Sequence, residues 1–152
     1  MEQFIPGRPI EILLVEDSVD DIQLARETFR RDKIHNLLRV AEDGEVAMNM
    51  LRQKGEFAGI PLPDLILLDL NMPNKNGYEV LKEIKADPDL RHIPVVILTS
   101  SRAETNIVKT YELQADNYVV KPVKLEKLLE IASSIKEFHF SIVKPQEKNA
   151  RP

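Results

Sequence analysis

A chain of 152 residues, 43% apolar and 30% charged, suits one domain that buries a sizeable core without covalent staples. A net charge of −4 with no basic run argues against general binding to nucleic acid or acidic membranes, and the lack of cysteine removes disulfides, thiolate metal sites and cysteine nucleophiles. No apolar run approaches membrane-spanning length and Met1-Glu2-Gln3-Phe4 is no export signal, so a cytoplasmic location is expected.

Residues 1–9, with two prolines and a glycine, read as a loose arm. Ile10 to Val15 form a short run rich in branched residues, the first predicted strand, and it ends in Glu16-Asp17. Ser18 suits a helix N-cap, with Asp20 and Asp21 in the first turn where the macrodipole favours acids. Ile22, Ala25 and Phe29 then recur at helical spacing, with Leu24 beside them, and Arg30-Arg31 close that helix. Residues 37–41 read as a second strand. Asp43-Gly44 opens a second helix with Val46, Ala47, Met50 and Leu51 on its apolar face. Met48 and Met50 read as core fillers, not as a partner groove.

Residues 53–63 carry two glycines and two prolines and read as a surface loop. A third strand, Leu65 to Leu68, follows and runs out at Asp69, before loop residues Asn71, Pro73, Asn74 and Gly77. A third helix is expected over 77–86 with Val80, Leu81 and Ile84 inward, and a fourth strand over 94–99 ending in Thr99. A polar fourth helix is expected over 103–114 and a fifth strand over 117–121, ending in Lys121-Pro122. The last helix is expected over 124–138, burying Leu125, Leu128, Leu129, Ala132 and Ile135, before a polar tail.

Strand and helix alternate five times, which predicts an α/β fold: a parallel sheet covered by helices on both faces, a flavodoxin-like three-layer sandwich. In such a sheet ligands bind outside the carboxyl ends of the strands. Taken alone, Asp69 could equally cap the turn after its strand. Yet Glu16-Asp17, Asp69, Thr99 and Lys121 all stand at strand ends, so a parallel sheet gathers three carboxylates, a hydroxyl and an ammonium on one edge. Two like unit charges at 4 Å repel by about 4 kcal/mol at an intermediate dielectric, so the acids call for a cation. Oxygen donors without His or Cys suit a hard ion such as Mg2+. A metal, an anion site and a carboxylate able to attack suggest phosphoryl transfer onto an Asp.

Over roughly residues 10–138 the chain resembles the receiver domain of two-component response regulators. The resemblance rests on Glu16-Asp17 after the first strand, and on Asp69-Leu70-Asn71-Met72-Pro73 with Gly77 eight positions after the Asp. It rests also on Thr99 and on Lys121-Pro122, at intervals of 30 and 22 residues. The long 53–63 loop and Asp87-Pro88-Asp89-Leu90-Arg91-His92-Ile93-Pro94 resemble the regulators that partner cyanobacterial phytochrome-type kinases.

The resemblance implies strand order 2-1-3-4-5 with five helices and a receiver over 10–140; the tail over 141–152, polar from 144 on and with two prolines, is expected to be disordered. It implies that Asp69 accepts a phosphoryl group from a phosphohistidine kinase, while Glu16, Asp17, Asp69 and the Asn71 backbone carbonyl hold Mg2+. Lys121 would pair with the phosphoryl oxygens, Thr99 would swing onto them, and Tyr118 would turn inward after it. Tyr118 taken alone would more often be a strand aromatic packed at the edge. Asn71 and Ser101 occupy positions that tune dephosphorylation in the family, or are turn residues. A cis Lys121–Pro122 peptide is also implied.

Output is expected through protein contacts, including a homodimer on the face of the fourth helix, fifth strand and fifth helix. Val108, Tyr111 and Leu113 are assigned to that helix, and Phe138, Phe140 and Ile142 extend the last one. His35, His92 and His139 stand apart from these motifs and read as surface residues. The expected function is a phosphorylation switch, not a turnover enzyme. Two alternatives are a receiver-like binding module that is never phosphorylated and an Asp-nucleophile phosphatase of the haloacid dehalogenase type. The latter wants a second acid where Asn71 stands. A dinucleotide-binding enzyme would need glycines after the first strand, and residues 16–21 have none.

Overall fold

The computed structural model describes residues 9–31, 35–72 and 75–133. The elements are β1 (Ile10–Val15), α1 (Val19–Arg31), β2 (Asn36–Ala41), α2 (Gly44–Leu51), β3 (Leu65–Asp69), α3 (Gly77–Ala86), β4 (Val95–Thr99), α4 (Arg102–Lys109), β5 (Asn117–Val120) and α5 (Leu125–Ser133). The five strands pair in parallel in the order β2-β1-β3-β4-β5, as expected. The 53–63 loop contains one 3-10 turn, Gly55–Phe57. Among the described residues no helix is long and apolar enough to cross a membrane.

Strand periodicity explains the three layers. Successive side chains point to opposite faces of a sheet. Ile10, Ile12, Leu14, Leu65, Leu67, Val96 and Leu98 therefore pack on one side with Ile22 and Phe29 of α1 and Leu125 and Leu128 of α5. Leu13, Val15, Ile66, Leu68, Val95 and Ile97 pack on the other with Ala47, Met48 and Leu51 of α2, Val80, Leu81 and Ile84 of α3, and Val108 of α4. β1, β3 and β4 are buried along their whole length, which is why they are mostly apolar rather than alternating; the exceptions are Glu11 inside β1 and Asp69 and Thr99 at the ends of β3 and β4.

Local signals set the helix starts. Ser18 accepts the Asp21 N–H at 3.2 Å ahead of α1, and Asp43 caps α2 through the Val46 N–H at 2.9 Å. Asn76 and Glu79 form a reciprocal capping box on α3. Some boundaries differ from expectation. α4 ends at Lys109 instead of running to residue 114: i→i+3 bonds tighten the chain there and Glu112 adopts φ 55°, turning Leu113 onto the core. Tyr111 and Leu113 therefore lie beyond α4, and Val108 is buried, so neither Val108 nor Leu113 presents the helical surface first assigned to it. Of the two methionines in α2, Met48 is buried with Ala47 and Leu51 while Met50 is half-buried, and Leu24 faces outward. The expected continuation of α5 with Ile135 and Phe138, like Phe140, Ile142, His139, the arm and the tail, lies outside the described residues.

Candidate functional site

The carboxyl ends of β1, β3, β4 and β5 open on one edge, and the residues just beyond them converge. Glu16 and Asp69 are almost fully buried, at 1% and 7% exposure, while Asp17 is exposed. One oxygen from each of these three carboxylates lies within 4.8 Å of the other two. Gly77 makes this packing possible. A Cβ there would stand 2.4 Å from the Asp69 carbonyl oxygen and 2.5 Å from the Leu70 Cα, so only glycine lets α3 start against the end of β3. The Gly77 N–H donates to the Leu70 carbonyl at 3.1 Å, fixing that approach.

Lys121 supplies the positive charge. Its Nζ donates to Glu16 Oε1 at 2.9 Å and to Asp21 Oδ2 at 2.7 Å, and stands 3.8 Å from Asp69 Oδ2. Burial alone would lower the ammonium's pKa, but its hydrogen bonds to Asp21 and Glu16 and the charge of Asp69 outweigh it and hold it above the ordinary lysine value. The second Glu16 oxygen accepts the Ser18 N–H at 3.1 Å, and Asp69 Oδ1 accepts the Asn71 N–H at 3.1 Å. Burial and a hydrogen-bonded contact with Glu16 push the Asp69 carboxyl up to about 7, against smaller opposing effects of the Asn71 N–H and Lys121. The Lys121–Pro122 peptide is cis, in agreement with the resemblance.

Thr99 is buried, and its hydroxyl shares a 2.6 Å hydrogen bond with that of Thr105 and lies 3.4 Å from the Val119 carbonyl. It is thus engaged with α4 and β5, not with Asp69. Tyr118 is half-buried against the core, with Lys109 Nζ 5.8 Å from its ring centre. Ser101 is the N-cap of α4, its Oγ accepting the Glu104 N–H at 3.0 Å. Asn71 reaches across the mouth of the pocket, its Nδ2 donating to Glu104 Oε2 at 2.9 Å. The other Glu104 oxygen takes the Ser100 N–H and hydroxyl, and these donors with Asn71 lower the Glu104 pKa. Asp21, Glu104 and Thr105 were not foreseen as parts of the site. The one available signal is their position in the first turns of helices that begin at the sheet's carboxyl edge.

The arrangement brings together a buried carboxyl, two further acids placed where one cation could reach all three, and an ammonium. The Response regulator receiver domain family matches residues 12–133 of the chain. The chain belongs to this family. Among curated proteins this receiver is 44% identical over 135 residues to the response regulator Rcp1 of Synechocystis sp., covering 89% of this chain and 92% of that protein. The Mn(2+)-bound form of Rcp1 superposes with a TM-score of 0.67 at 45% identity, over 86% of this chain and 94% of that one. The bacteriophytochrome response regulator AtBRR gives a TM-score of 0.80 at 35% identity, over 90% and 99% of the two chains. The phosphorylated cyanobacterial phytochrome response regulator RcpA gives 0.68 at 44% identity, over 86% and 94%. The receiver is thus a response regulator similar to those of phytochrome systems.

Proposed function

We propose that Asp69 is the phosphoacceptor of this receiver and that a phosphohistidine on a partner kinase is the donor. The reading is carried by one observation: a buried carboxylate at the end of β3 stands within 4.8 Å of two further acids and 3.8 Å from an ammonium. An Asp69 oxygen attacks phosphorus, the bond from phosphorus to the imidazole nitrogen breaks, and its electron pair stays on the nitrogen. Lys121 then faces the phosphoryl oxygens as well as the acids and offsets charge on both.

The donor set fits a hard divalent ion, being all oxygen and lacking His. Glu16, Asp17 and Asp69, with the Asn71 backbone carbonyl, would hold Mg2+. When bound, that ion neutralises charge on the acids and on the transferring group. Thr99 exchanges its bond to Thr105 for the phosphoryl group, and Tyr118 moves into the space it leaves. Asn71 and Ser101 flank the pocket and tune the lifetime of the acyl phosphate. The protein acts as a signalling switch in the cytoplasm, not as a turnover enzyme. Its kinase is of the phytochrome type, by similarity to Rcp1, RcpA and AtBRR. It pairs with a second copy through α4, β5 and α5, where Ile107 and Tyr111 are 57% and 52% exposed.

Intact mass after incubation with acetyl phosphate and Mg2+ tests the central step. The expected result is one phosphoryl group, dependent on Mg2+ and absent from Asp69→Asn. No addition, even from a phosphorylated histidine donor, would turn the reading to a binding module that works without phosphate.

A further inference from the structure

Asp21 occupies a place that the phosphoacceptor chemistry leaves without a task. It belongs to the first turn of α1, yet its carboxylate makes the shortest hydrogen bond of Lys121, 2.7 Å, against 2.9 Å to Glu16 and 3.8 Å to Asp69. Two of the three ammonium protons are thereby directed at Glu16 and Asp21, and Asp69 is left beyond hydrogen-bond distance. The two partners are not equivalent. Glu16 is buried and its other oxygen is fixed by the Ser18 N–H, so it cannot leave. The Asp21 side chain is 38% exposed, and water is at hand to replace the lysine. The Asp21 backbone is held at the start of α1 by its N–H, which donates to Ser18 Oγ at 3.2 Å.

We propose that Asp21 is a positioning residue that competes with the phosphoryl group for the Lys121 ammonium. It tethers the lysine at the pocket wall in the unphosphorylated protein and yields it when an anion arrives on Asp69. The inference rests on the phosphoacceptor reading above. Removing the tether frees a charged donor for the anion, and Asp21→Asn also removes a negative charge from the mouth. A hydrogen bond involving a charged group is worth enough to shift the anion's affinity by about tenfold.

The test is calorimetric titration with beryllofluoride, a tetrahedral phosphoryl mimic, in the presence of Mg2+. Wild type, Asp21→Asn, Asp21→Glu and Asp69→Asn are compared. In parallel, nitrogen-15 NMR follows the Lys121 ammonium in the metal-free proteins. The expected result is tighter beryllofluoride binding by Asp21→Asn, by about tenfold, with wild-type affinity restored in Asp21→Glu. The Lys121 ammonium resonance is protected from exchange in wild type and Asp21→Glu and exposed in Asp21→Asn. Unchanged or weaker binding in Asp21→Asn, with wild type binding normally, overturns the competitor role and leaves the phosphoacceptor reading standing. No binding by wild type overturns both.

Discussion

Burial and the adjoining Glu16 carboxylate raise Asp69 from an ordinary value of 3.8 to about 7, and this ties stability to pH. The folded protein holds the Asp69 proton more tightly than the unfolded chain does. Between about pH 4 and pH 7 the native state therefore binds more protons, and stability falls as pH rises. The contribution is complete below the unfolded value and gone above about 7. Asp69→Asn should remove this slope and exceed the wild type at pH 8 by about 1–3 kcal/mol in the metal-free state, as read by urea unfolding at pH 5 and pH 8. Adding Mg2+ to the wild type near pH 7 should release about half a proton, measurable as a buffer-dependent heat, because the ion favours the ionised acid. Asp69 itself was legible in the sequence because an acid at the end of an apolar strand is conspicuous. Asp21 was not, because an acid in a helix's first turn already has an ordinary reason to be there.

The helices position the site only where their ends meet the sheet edge, and α3 does so with almost no clearance. A methyl group on residue 77 cannot be accommodated without moving the β3 end or α3, since its nearest neighbours at 2.4 and 2.5 Å are backbone atoms. Gly77→Ala should lower stability by about 1–3 kcal/mol, the usual cost of overpacking. It should also weaken Mg2+ binding, because the displaced backbone carries Asp69. Urea unfolding and an Mg2+ titration read the two effects separately. An Mg2+ affinity equal to wild type would show that α3 absorbs the strain alone. Element identity was clear from apolar periodicity, and the strands were read almost to the residue. The end of α4 was not: residues 110–114 carry no glycine or proline, and the helix stops because Leu113 and Ala115 are drawn to the core. That pull comes from residues distant in sequence, and no local pattern encodes it.

At the scale of the molecule, two apolar layers clamp a sheet whose one edge gathers acids and an ammonium. Ile107 and Tyr111 are the large exposed apolar side chains on and just after α4, and Val120 adds a third on β5. A self-association surface there should appear as a weight-average mass that rises with concentration in sedimentation experiments, more steeply after phosphorylation. Ile107→Glu should keep the protein monomeric at the same concentrations and leave phosphorylation of Asp69 intact. The convergence of four strand ends was legible because parallel topology follows from strand–helix alternation alone. The bridge from Asn71 to Glu104 was not, since it joins two ordinary-looking polar residues 33 positions apart in the chain.

The bond between Lys121 and Glu16 joins residues 105 apart in the chain. A growing polypeptide therefore carries its acidic trio long before the ammonium that compensates it has been made. Until residue 121 has left the ribosome and β5 has docked, the pocket lacks its cation and the edge of β4 lies open. A product that ends before residue 121 lacks this partner for Glu16 and, on the proposed phosphoacceptor role of Asp69, should take up less phosphoryl group from acetyl phosphate than the full chain, as read by intact mass.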